Sequence, residues 1–394
     1  MAINLIRNSR VFFTTNVDDQ GRIRVGDYKD VNYPFAGTGT PNCWEIQVLE
    51  GMSFSQNTTV DTVTLNEAGA TPSRGQRSFN TALEPVDFSF STYVRPFNNG
   101  STVTAEERLL WNAFAGKDAL GGLAPAWTET SSTGVVSFAN SNKHQLQAFG
   151  LIIVFDGVAY ALDNCALDTA TIDFGIDAIA AIQWAGKGSR IRVLENFTAN
   201  TASPVVFSGT DVVTSPDTPD TAVSKNPNAR YITNKLSTLV IAQGINDFTG
   251  DYTIALTGGS ITLSNNLTYL TPANLGVVNL PITYFTGTRS ITGSITAYLR
   301  TGGNDSGKLL KDLVSNAATQ IDPKFSINVQ MGGDPTTNTT GVQIKLPGAM
   351  LQIPTVNTEQ VISTTINFTA QGYAGSSYDI TAQNEAEIIY RAAA

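Results

Sequence analysis

Gly157–Gly188, GVAYALDNCALDTATIDFGIDAIAAIQWAGKG, lies without a gap over Gly341–Gly372, GVQIKLPGAMLQIPTVNTEQVISTTINFTAQG, at an offset of 184. Gly157/Gly341, Val158/Val342, Leu162/Leu346, Leu167/Leu351, Thr171/Thr355, Ile182/Ile366 and Gly188/Gly372 are identical. Apolar character persists at Tyr160/Ile344, Ile172/Val356 and Trp184/Phe368. The same order of elements precedes both windows. Thr92-Tyr93-Val94-Arg95 answers Ala297-Tyr298-Leu299-Arg300, and a helix carrying Leu109, Leu110, Ala113 and Phe114 answers, at an offset of 200, Leu309, Leu310, Leu313 and Val314. Such a repeat predicts two copies of one domain, over 1–200 and 230–394. Between them 201–229 has no periodicity and contains Ser215-Pro216-Asp217-Thr218-Pro219-Asp220-Thr221, the chemistry of a linker or extended arm.

Alternating apolar residues predict mainly β structure in each copy. Arg10–Thr15 reads as a first strand. Cys43–Leu49 places Trp44, Ile46 and Val48 on one face, and Tyr252, Ile254 and Leu256 repeat that alternation. Met52–Ser55 and Ile261–Ser264 follow, matched across a one-residue gap. Phe88–Pro96 is an alternating strand stopped by proline, and Thr104–Glu107 has the spacing of a capping box. The helix after it runs to Ala115 and stops at Gly116, with Leu110, Ala113 and Phe114 on one stripe. Its second-copy counterpart spans 307–316. Gln145–Phe155, Val158–Leu162, Leu167–Ile176, Ile179–Trp184 and Arg190–Leu194 read as strands, with Asp156-Gly157 as a hairpin signal. In the second copy they correspond to Phe325–Met331, Val342–Leu346, Leu351–Val356, Val361–Phe368 and Ala386–Tyr390. The fold class is therefore two tandem antiparallel β-sandwich or barrel domains, each flanked by one helix.

Length and composition agree. A chain of 394 residues holds two domains that each bury a core. Charged residues make up 14%, against about 25% in typical soluble proteins. Ser, Thr, Asn and Gly take their place, so the polar surface carries little charge, as expected where neighbouring subunits cover it. The opening Met1-Ala-Ile-Asn-Leu-Ile-Arg contains no apolar run of signal length. Two cysteines, Cys43 and Cys165, make no disulfide framework and read as buried thiols. A net charge of −9, from 24 basic and 33 acidic residues, argues against wrapping nucleic acid.

Catalytic and cofactor signatures are absent from the sequence. His144 stands alone as the single histidine, and Gly186-Lys187-Gly188-Ser189 lacks the leading glycine of a phosphate loop. No catalytic, cofactor or metal residues are expected. Asp163, Asp168, Asp173 and Asp177 fall mostly opposite Leu162, Leu167, Ile172 and Ile176, which predicts an outward acidic face. These four are the candidate lumen-facing acidic residues of any conduit the chain builds.

The Ser91–Pro96 strand, the Leu109–Phe114 helix and the run from Asp156-Gly157-Val158-Ala159-Tyr160 through Ile182-Gln183-Trp184-Ala185-Gly186 resemble the phage tail tube (major tail) protein family. Tyr298-Leu299-Arg300, Lys308-Leu309-Leu310 and 341–372 match it more loosely. The resemblance implies a non-enzymatic virion protein, assembled in the host cytoplasm, whose stacked rings form the tail tube and let DNA pass without specific binding. It implies further copies of the chain, a tail terminator, a tape measure and baseplate or tip proteins as partners, with neither membrane nor cofactor. Members commonly carry one such domain and form hexameric rings, so a fused pair implies trimeric, pseudo-hexameric ones. A capsid decoration protein, or a bacterial surface or carbohydrate-binding module, would share the composition. The linker and a loop around Pro72–Phe79 are expected to contact the next ring.

Overall fold

The structure, a computed structural model, describes residues 10–15, 17, 23, 43–64, 75–98, 100–116, 126–138, 146–155, 158–194, 197–198, 206–207, 230–275, 277–321, 324–333, 339–358, 361–380, 382 and 384–392. His144, Asp156-Gly157, Pro72 and, apart from Val206–Phe207, the segment 201–229 lie outside them.

The first half contains β1 (Arg10–Thr14), β2 (Cys43–Ile46), β3 (Ser53–Ser55), β4 (Thr58–Thr64), β5 (Gln76–Leu83), β6 (Val86–Tyr93), β7 (Pro96–Asn98) and β8 (Val103–Ala105). Helix α1 (Arg108–Ala115) follows, then β9 (Trp127–Glu129), β10 (Gly134–Ser137), β11 (Phe149–Phe155), β12 (Val158–Asp173), β13 (Ala181–Gly188) and β14 (Arg190–Leu194). A small pair, β15 (Phe197–Thr198) and β16 (Val206–Phe207), comes next. The second half contains β17 (Thr238–Gln243), β18 (Tyr252–Ile254), β19 (Leu256–Ser264), β20 (Leu267–Leu270), β21 (Thr283–Thr286) and β22 (Ser290–Tyr298). Helix α2 (Ser306–Ala317) then leads to β23 (Phe325–Met331), β24 (Gly341–Leu351), β25 (Thr355–Thr358) and β26 (Ile362–Ala370). A two-residue hairpin, β27 (Tyr373–Ala374) with β28 (Ser377–Tyr378), precedes the last strand, β29 (Glu387–Arg391).

The protein is mainly β, with large antiparallel sheets and, among the described residues, two α-helices. One pairing order occurs in both halves. In the first, β1 lies between β2 and β11, β11 pairs β12, and the leading part of β12 also takes β14. The trailing part of β12 pairs β13, which pairs β6, which pairs β3. In the second, β17 lies between β18 and β23, β23 pairs β24, and the leading part of β24 takes β29. The trailing part of β24, continued by β25, pairs β26, then β22, then β19.

Register corrects the offsets read from sequence. Thr171 pairs with Gln183 and Thr355 with Thr365, while Ile182 pairs with Thr92 and Thr364 with Ala297. The offset of 184 therefore holds along β12 and β24–β25 but drops to 182 on β13 and β26, because the intervening turn is two residues shorter in the second half. A shift of two keeps every side chain on its face, so the sequence pattern hides it. For the helices the offset is 199, not 200. The Arg95 N–H donates to the Glu107 carboxylate (3.3 Å) as the Arg300 N–H donates to Ser306 Oγ (3.0 Å), and Leu110 and Phe114 are buried where Leu309 and Leu313 are.

Other boundaries differ too. Val158–Leu162 and the expected strand from Leu167 are one strand of 16 residues, β12, which ends at Asp173 rather than Ile176. Backbone pairing carries it across Asn164, whose φ of 49° lets the chain bend from one sheet into the next. Arg77–Phe79, expected in a loop, belong to β5 and pair with β4. Thr104 sits in β8, and Glu107 makes no side-chain cap, because its carboxylate is drawn inward to the Arg95 N–H.

The trailing part of β12 uses its other edge to pair β19, from Thr169↔Ser264 to Asp173↔Ser260. One sheet thus runs unbroken as β3-β6-β13-β12-β19-β22-β26-β25. A second junction joins β29 to β10, and Trp111 Nε1 donates to Tyr390 Oη across it at 2.7 Å. A large apolar core crosses both halves, from Val11 to Tyr390, beside a smaller cluster of Leu146, Ala166 and Leu267.

Candidate assembly surface

Because side chains alternate along a strand, the long sheet has one face in the core and one outside. Phe88, Phe90, Ile172, Trp184, Ile261 and Ile295 point inward and are buried. Their neighbours Ser89, Ser91, Thr171, Gln183, Thr262 and Thr292 make the outer face, lined by hydroxyls and amides. Thr171 and Thr262 join hydroxyls across the junction between halves at 3.1 Å, and Ser53 and Ser89 do so at 2.9 Å. Charge on this face is sparse: Asp87 and Lys187 neutralise each other at 2.8 Å, and Asp173 stands beyond them.

The four candidate aspartates do not share a surface. Asp163 is fully buried, receiving Arg192 at 2.6 and 2.8 Å, Arg190 at 3.3 Å and the Ile23 N–H at 3.0 Å. Its side chain does point away from Leu162, yet that side of the strand is covered by Ile23 and the two arginines. Gly150 makes the cover possible, since a Cβ there would meet the Ile23 side chain at 2.1 Å. Asp168 is half-buried, and its Oδ1 accepts the Leu267 N–H at 2.8 Å, fastening the start of β20. Asp173 and Asp177 are exposed, at the end of β12 and in the turn after it. Of the four, Asp163 and Asp168 are therefore not on an outward acidic face, and Asp177 lies in a turn rather than on a strand.

Sequence reasoning missed the cluster beneath α1. Arg95 pairs with Glu106 at 3.0 Å and donates to Gln47 at 2.6 Å, with its guanidinium 4.8 Å above the Tyr231 ring. Glu107 is buried beside them and hydrogen-bonded to Tyr390; burial pushes its pKa up to about 8, with the nearby Glu106 charge adding to the rise. The residues converge from just after β2 and β6, the turn before α1, Tyr231 and β29; Trp111 of α1 and Tyr390 are themselves 279 positions apart, and no local spacing announces that. Cys165 is a buried free thiol, its pKa raised by burial.

Both ends of the long sheet are open. β3 has β6 on one edge, and β25 has β26; among the described residues neither has a partner on the other. Ile353 (56%), Val356 (39%), Val361 (59%) and Ile362 (42%) cluster in exposure around the β25 end. No group of three or more His, Cys, Asp and Glu capable of holding a metal occurs among the described residues. No described helix is long and apolar enough to cross a membrane.

No family model matches the chain. Tail tube protein pb6 of Escherichia phage T5 is 29% identical over 393 residues, which cover 97% of this chain and 77% of pb6. A β-rich body with open sheet ends, aligned with pb6 over nearly all its length, makes the chain similar to a phage tail tube protein.

Proposed function

We propose that the chain is a non-enzymatic structural subunit of a phage tail tube, built as two copies of one domain, 1–200 and 230–394, with 201–229 as linker or arm. Three chains close a pseudo-hexameric ring, and rings stack into a hollow tube in the virion. The observation that carries this reading is the recurrence of one strand-pairing order in both halves, with consistent register offsets through β12/β24–β25, β13/β26 and β6/β22. A unit holding two like wedges joined edge to edge reaches sixfold shape with three chains, through a heterologous contact that closes. Closure also removes the exposed strand edges that otherwise promote aggregation.

The tube is a passage for DNA during ejection. The hydroxyl-lined sheet face suits the lumen wall, because it offers a duplex no array of cations to bind. Asp173 and Asp177 give the wall local negative charge, felt over roughly 8–10 Å at ordinary salt. Asp163 and Asp168 serve structure instead. By the family reading, the terminator, tape measure and baseplate or tip proteins are partners, and assembly takes place in the host cytoplasm. Negative-stain microscopy with mass measurement of isolated rings tests it. Tubes whose rings weigh three chains are the expected result; rings of six chains, or a monomer under all conditions, would overturn it.

A further inference from the structure

The sheet that crosses the two halves also marks where a second copy of the chain attaches. Within one chain the trailing part of β12 pairs with β19, in the register Thr171↔Thr262 and Ile172↔Ile261. Its counterpart in the second half is β25, since Thr355 and Val356 face β26 as Thr171 and Ile172 face β13. The counterpart of β19 in the first half is β3, because Ser53 opposes Ser89 on β6 as Ser260 opposes Ser294 on β22. Both counterparts are open edges.

Exposure supports the correspondence. Ile172 and Ile261, joined at the junction, are 1% and 0% exposed, whereas Val356 is 39% exposed and Phe54 only partly buried. The helix and the terminal strand show the same contrast. Ala115 is 0% exposed and its counterpart Val314 is 52%; Ile388 is 0% and its counterpart Val193 is 59%. Apolar positions buried at the contact between halves are thus open where that contact has no partner within the chain. Hydroxyl chemistry is retained as well: Thr171 and Thr262 bridge by their Oγ atoms, and the positions that would meet between chains are Thr355 and Ser55.

We infer that β25 of one chain pairs antiparallel with β3 of the next, with Thr355 opposite Ser55 and Val356 opposite Phe54, reproducing between chains the β12–β19 junction within one. The inference rests on the tube reading and adds the edges and the register. Directly opposed residues in an antiparallel pair have Cβ atoms about 4.5–5.5 Å apart. A short thiol-reactive linker therefore joins cysteines placed at these positions. The test is the double variant Ser55→Cys with Thr355→Cys in the full chain, assembled, treated with the linker and run under denaturing conditions.

The expected result is linked dimers and a covalently closed ring band in the double variant, with neither from the two single variants. Tubes of normal appearance that yield no linked chains would overturn the pairing while leaving the tube reading intact. Absence of tubes from the unmodified chain would instead sink the tube reading. If the double variant fails to assemble, Ser53→Cys with Asn357→Cys tests the same register two residues away. Linkage there supports the pairing, and assembled but unlinked chains reject it.

Discussion

Replacing Asp163 by Ala tests whether this residue is a core ion or a wall charge. The change removes four interactions: two hydrogen bonds from Arg192, one from Arg190 and one from the Ile23 N–H. Removing one member of a buried ion pair costs about 3–5 kcal/mol, chiefly because the remaining charge loses its partner. Arg190 and Arg192 keep 37% and 25% of their side-chain surface in water and rehydrate in part, which argues for the lower end, about 3 kcal/mol. For a chain of this size unfolding as one unit, with an unfolding entropy near 2.1 cal/mol/K per residue, that corresponds to a fall in Tm of roughly 4 °C. Calorimetry on Asp163→Ala beside Asp173→Ala measures the contrast, since Asp173 is exposed and its loss is expected to leave Tm unchanged within about 1 °C. Equal melting of the two variants would refute the placement of Asp163 in the core.

Two further outcomes follow from buried groups. With its folded-state pKa near 8 and an ordinary value of 4.5 when unfolded, Glu107 binds its proton more tightly in the folded chain. Its contribution to stability is therefore present at low pH and is lost as pH rises from about 4.5 through 8. Glu107→Gln, which keeps the acceptor for the Arg95 N–H, should flatten that decline in urea unfolding measured at pH 5.5 and 8.5; an unchanged decline would mean that Glu107 ionises freely. At Asn164, φ is 49° and the side-chain amide donates to the Ile282 carbonyl at 3.2 Å. Asn164→Ala should cost about 1–2 kcal/mol in the same assay, and Asn164→Gly less, because glycine tolerates the left-handed backbone; equal costs would show that the hydrogen bond alone matters.

Alternation was enough, in the sequence, to identify β structure and the inward residues of the long sheet. Phe88, Phe90, Ile172 and Trp184 all point into the core, as a period of two requires. The helix with Leu110 and Phe114 and the stop at Gly116 were equally legible, since both depend on neighbours a few positions away. Offsets were less secure: a two-residue change in a turn leaves every face in place, so only hydrogen-bond register reveals it. What lies opposite the core face depended on tertiary structure altogether. Leu162 and Asp163 alternate as expected, but Ile23, Arg190 and Arg192 arrive from elsewhere and bury the aspartate. The joining of β12 to β19, of β10 to β29 and of Trp111 to Tyr390 likewise links residues far apart in the chain. Local pattern reports how a strand turns its side chains; which surface those side chains meet is decided by long-range pairing, and with it which edges stay open for another chain.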